Sequence, residues 1–126
     1  MSSCWDDKAR SSEAQPPGWA RSKALELVGG DENLLDEVVA IFLVESPELV
    51  TKIQHALLDR DPRMLEHAAH SLKGQLGYLG LSEVSEAQKL EDAGRTGELR
   101  GAEGLLAGLQ VRLVEVWSTL SRKPGI

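Results

Sequence analysis

Near neutral pH an imidazole ring can take up a phosphoryl group, because its ordinary pKa of ~6.5 leaves one ring nitrogen with a free lone pair. Two of the chain's three histidines fall in HAAHSLKGQLGYLG, residues 67–80. His70 is followed three residues later by Lys73, and Gly74, Gly77 and Gly80 interrupt a pattern that is otherwise helical and apolar. Each glycine costs ~1 kcal/mol relative to alanine in a helix interior. A helix weakened in this way beside a histidine needs a reason.

The helical wheel supplies one. At ~100° per residue, Leu65, Ala68, Ala69, Leu72, Leu76 and Leu79 fall on one stripe, which is the expected core face. His70 lies almost opposite, with Gly74 and Gly77 close beside it and Lys73 and His67 to either side. The glycines therefore clear side chains from a solvent-facing surface around His70. Phosphoryl transfer is mainly positioning and electrostatics, so a carrier needs little machinery of its own. Lys73, one turn on, can offset the added negative charge. His67 is a surface neighbour that tunes the site, and His55 is an ordinary surface or core histidine.

Around this stretch the chain reads as helical almost throughout, and no segment alternates as a strand does. Residues 1–20, with Cys4, Trp5 and Trp19, have no period and read as a linker or tail. A short helix over Ser22–Val28 stops at Gly29-Gly30. Asp31 caps a long apolar helix carrying Leu34, Leu35, Val38, Ile41 and Phe42. Pro47 starts or kinks a further helix with Leu49, Ile53, Ala56 and Leu57. Asp61-Pro62 opens the helix of His70, for which Gly80 is the C-cap. Ser82 caps the next helix, with Val84, Ala87 and Leu90, which ends near Gly94–Gly97. The last runs from about Gly101 to Ser121 on Leu105, Leu109, Leu113, Val116 and Leu120, with Trp117 filling the core. The expected fold is all-α, an antiparallel up-down four-helix bundle over residues 21–122 with a short extra N-terminal helix and a tail at 123–126.

Composition narrows the function. A length of 126 residues suits one domain, and 41% hydrophobic with 27% charged residues is an ordinary globular balance. The net charge of −6 argues against nucleic acid, which selects a basic face. A single cysteine excludes an internal disulfide or a cysteine zinc site. No apolar run approaches the ~20 residues that span a bilayer, and the N-terminus lacks a secretory signal, so membrane insertion is not expected and a reduced cytoplasmic compartment is. No glycine-rich phosphate loop is present, so the chain is read as a phosphocarrier and not as a kinase or other enzyme.

The motif resembles that of the histidine-containing phosphotransfer (HPt) domains of two-component phosphorelays. The resemblance rests on His70, Leu72-Lys73-Gly74 and Leu79-Gly80, and on LVGGDENLLDEVVAIFLVESPELV upstream, and extends over about residues 22–121. It implies that His70 accepts and donates the phosphoryl group through the ring nitrogen furthest from the backbone. It implies that Lys73 balances the phosphate, and that Gly74, with Gly77 and Gln75 on the same docking surface, leaves room for a receiver domain. A Glu or Gln on the following helix often holds the other ring nitrogen in such domains, and here Glu91, after Leu90, is the best match, with Asp92 as the alternative. Gln75-Leu76-Gly77-Tyr78 departs from the small residues frequent there, which bears on partner preference. The implied partners are receiver domains of response regulators or hybrid sensor kinases, met by a monomer. No cofactor of its own and no metal site are expected, with Mg2+ in the partner's receiver domain. Two other classes of function fit the sequence less well. A non-catalytic helical adaptor would not need His70 and Lys73 intact. A bundle metal site needs Glu-x-x-His pairs facing inward, which Glu66, His67 and His70 do not make.

Overall fold

The structure, a computed structural model, describes residues 21–121. The tails expected over 1–20 and 123–126, with Cys4, Trp5 and Trp19, lie outside the described residues. Five helices account for the described chain, which contains no strand: α1 Arg21–Leu27, α2 Glu32–Asp59, α3 Pro62–Tyr78, α4 Val84–Thr96 and α5 Ala102–Ser121. Helix α3 packs most extensively on α4. Helix α2 packs on α3 and α5, α4 on α5, and α1 lies against α2. No helix among the described residues is long and apolar enough to cross a membrane.

Caps set the ends of the helices that carry the site. Asp31 and Asp61 accept from the backbone N–H of Leu34 and Met64, at 3.1 and 3.2 Å, satisfying donors that a helix start leaves open. Gly80, at φ +68°, turns the chain out of α3, and the Leu81 N–H closes back on the Leu76 carbonyl at 3.0 Å. All six residues of the expected α3 stripe are buried: Leu65, Ala68, Ala69, Leu72, Leu76 and Leu79. They meet Leu35, Phe42, Ile53, Leu90, Leu109 and Leu113 in one core.

Four expectations need correction. Pro47 does not start a new helix: α2 is continuous for 28 residues with Pro47 inside it. A proline removes one intrahelical hydrogen bond, but Phe42 and Ser46 before it and Val50 and Ile53 after it are buried on one face, so both halves are anchored to the same core. Ser82 is not a side-chain cap. Helix α4 begins behind Glu83 through a tight turn, in which Val84, Ser85 and Glu86 donate to the carbonyls of Leu81, Ser82 and Glu83. Leu106 is buried, whereas Leu105 only packs against the core edge. Trp117 is half-buried, and its indole N–H donates to Ser46 Oγ at 2.8 Å. A core tryptophan with a polar tip settles where that tip finds a partner.

Candidate functional site

The site is built on the facing surfaces of α3 and α4. His70 stands opposite Glu91, with Nδ1 at 3.0 Å from Oε2. Three residues on along α3 and three back along α4, Lys73 stands opposite Gln88, with Nζ at 2.9 Å from Oε1. Glu91 joins the two pairs, because its other oxygen lies 2.7 Å from Lys73 Nζ. One carboxylate thus bridges a ring nitrogen and an ammonium. An ionised carboxylate only accepts, so the proton of the neutral ring sits on Nδ1 and the lone pair on Nε2. The His70 side chain is 67% exposed and that of Glu91 15%, so the bridge lies low between the helices and the ring stands above it.

Glu91 is held below the usual carboxylate range. The hydrogen bond from Lys73 is the largest cause, partial burial opposes it, and the contact with His70 adds to it. A carboxyl depressed in the folded state adds stability that is complete above its unfolded pKa and is lost as pH falls through the folded value. Glu91→Gln should therefore flatten the decline in stability below about pH 4. Urea midpoints between pH 3 and 6 measure it, and an unchanged acid slope would show that the bridge contributes nothing to folding.

The remaining expected residues divide clearly. Asp92 does not reach His70. It accepts from Gln88 Nε2 at 2.9 Å and pairs with Arg95, which, followed by Gln88, holds its carboxyl low. His67 is exposed and makes no hydrogen bond or ion pair among the described residues. Gly74 and Gly77 are exposed, and a Cβ added to either would meet nothing within 4 Å. Gln75 is half-buried instead of free on the surface, donating to Glu45 Oε1 on α2 at 2.8 Å. That bridge borders a shallow groove lined by Val38, Ile41, Phe42, Glu45, Gln75 and Tyr78, with Ile41 52% and Tyr78 68% exposed. Among the described residues no three His, Cys, Asp or Glu side chains group closely enough to hold a metal ion.

Two residues that matter here were not legible as site residues. Gln88 is an ordinary helix-surface type, and only its place one turn before Glu91 marks it. Gly94 reads as part of a helix end, yet it is buried inside α4, against the backbone of α3 at Pro62 and Glu66.

A histidine with one nitrogen held by a carboxylate and a lysine one turn on stands on an open helix face. The chain belongs to the Hpt domain family, whose profile matches residues 37–120. Its fold is similar to that of histidine-containing phosphotransfer protein B from Pseudomonas aeruginosa PAO1, with a TM-score of 0.76 at 24% identity over 84% of this chain and 93% of that one. No curated protein matches it in sequence.

Proposed function

We propose that this protein is a phosphocarrier in a two-component phosphorelay, passing a phosphoryl group between His70 Nε2 and an aspartate of a receiver domain. The observation that carries the reading is the His70–Glu91 contact at 3.0 Å, which commits Nδ1 and leaves Nε2 as the nucleophile on an open face. In transfer the Nε2 lone pair forms a bond to phosphorus while the acyl-phosphate P–O bond breaks, its electron pair leaving on the partner's carboxylate. The Nδ1 proton stays on the ring, which becomes cationic beside the Glu91 carboxylate. A carboxylate placed where positive charge develops stabilises that state and fixes the tautomer that reacts. The same contact favours return of the phosphoryl group, since the protonated ring leaves readily.

The four longer helices form an antiparallel up-down bundle in this reading, and α1 closes one end. The working unit is a monomer in the cytoplasm without a cofactor of its own. Mg2+ and the acidic pocket come from receiver domains of response regulators or hybrid sensor kinases. The open surface at Gly74 and Gly77 and the neighbouring groove at Ile41 and Tyr78 receive that partner. The test is transfer from a phosphorylated receiver: an acid-labile, base-stable label mapping to the peptide with His70 supports the reading, and label elsewhere, or none, overturns it.

The docking role of Gly74 is separable from folding. Gly74→Gln replaces glycine by a better helix former in open space, so the variant should melt at or above wild type, by up to ~1 kcal/mol of stability. It should accept phosphate from a receiver several-fold more slowly, while labelling by the small donor phosphoramidate stays unchanged. Equal loss with both donors would place the fault in the histidine and not in docking.

A further inference from the structure

Lys73 is held by partners on α4. Its ammonium lies between α3 and α4, 2.7 Å from Glu91 Oε1 and 2.9 Å from Gln88 Oε1, and its side chain is 27% exposed. Glu91 accepts from Nδ1, so the ammonium is paired with the same carboxylate that holds that nitrogen. The ammonium is thus ion-paired with one carboxylate and donates to one amide oxygen. Gln88 is itself fixed: its Nε2 donates to Asp92 Oδ1 at 2.9 Å, and Asp92 is tied to Arg95 on the same helix. Only one orientation of the amide gives its donor to a carboxylate and its acceptor to an ammonium, so the Arg95–Asp92–Gln88 chain aims Oε1 at Lys73.

We infer that Gln88 is a positioning residue that restrains Lys73 in the unphosphorylated protein and sets how far the phosphoryl equilibrium lies toward His70. The inference rests on the phosphotransfer reading of His70. A phosphoryl group on Nε2 sits on the far edge of the ring, and Lys73 reaches it by giving up a partner. Glu91 still accepts from the Nδ1–H of the ring and remains the ammonium's counter-ion, so the bond released is the one to the neutral amide of Gln88. That charge-assisted bond is lost on phosphorylation. Its strength subtracts from the stability of the phosphohistidine and keeps it a ready donor.

The experiment mixes a phosphorylated receiver with wild type, Gln88→Met, Lys73→Ala and the double variant. It reads the equilibrium ratio of phosphohistidine to phosphoaspartate and the half-life of the isolated phosphohistidine. Methionine keeps the length and helix preference of glutamine without its acceptor. Gln88→Met should raise both quantities about three- to tenfold, the scale of one partly exposed charge-assisted hydrogen bond. In the Lys73→Ala background the same substitution should change neither. Asp92→Ala, which frees the amide without removing it, should move both in the same direction by less and serves if the methionine variant folds poorly. A ratio unchanged or lowered by loss of the amide overturns the inference, as does a rise that persists without Lys73. A wild type that takes no label overturns it together with the reading beneath it, whereas full labelling with an unmoved ratio overturns this inference alone.

Discussion

His70→Gln should take no label above background from a phosphorylated receiver, yet keep the wild-type helix content and melting curve. The amide nitrogen of glutamine has no lone pair available for attack on phosphorus, so the loss is complete and not a slowing. The fold should be indifferent because the His70 side chain is 67% exposed and surface changes of this kind fall within about 0.5 kcal/mol. Glu91 also keeps its ion pair with Lys73 at 2.7 Å when the ring is gone, so no buried charge is stranded. Separate readouts, autoradiography for transfer and circular dichroism for unfolding, keep chemistry apart from stability. His67→Gln is the internal control. It removes an imidazole three residues away that has no carboxylate on either nitrogen among the described residues, and it should label as well as wild type. Undiminished label on the His70 variant, lost only when His67 is also replaced, would move the acceptor one turn along α3.

The orientation of His70 was legible because it depends only on the period of one helix. A wheel that places Leu65, Leu72 and Leu76 inward must place residue 70 outward, and the exposures agree. The choice of Glu91 over Asp92 turns on how α4 is rotated against α3. Adjacent helix positions differ by ~100°, and with Ala87, Leu90 and Gly94 buried it is Glu91 that flanks the packed face and meets His70. What periodicity does not give is how close the two helices come, and at Gly94 there is no room for a Cβ against the α3 backbone. Pro47 misled for a related reason. A local breaker is weighed against local propensity when reading a sequence, but the burial of Phe42, Ser46, Val50 and Ile53 on one core face outweighs one lost hydrogen bond. Leu34 and Ile41 stand beside the buried Leu35 and Phe42, at the rim of the α2 stripe, and remain 41% and 52% exposed.

Gly94→Ala should destabilise the protein by about 3 kcal/mol, toward the upper end for forced overpacking, while the same substitution at Gly74 or Gly77 should stabilise it. The contrast isolates geometry, since all three glycines lie inside helices and share the same gain in propensity. A Cβ at Gly94 would lie 2.5 Å from the Glu66 nitrogen, 2.7 Å from the Pro62 carbonyl oxygen and 2.8 Å from Glu66 Cα. All three are backbone atoms, so no side-chain rotation relieves the contact and α3 and α4 must move apart. At Gly74 and Gly77 the added methyl meets nothing within 4 Å. Separation at Gly94 also opens the next turn, where the His70–Glu91 contact stands at 3.0 Å and would lengthen beyond hydrogen-bond range. The Gly94 variant, assayed well below its melting temperature, should therefore transfer phosphate more slowly than its folded fraction accounts for, because Nδ1 is no longer held and the reactive tautomer is no longer selected. Thermal unfolding of the three alanine variants, with transfer rates corrected for folded fraction, makes the comparison. If Gly94→Ala melts like wild type, α3 and α4 are not in close contact there, and the register that sets Glu91 against His70 loses its support.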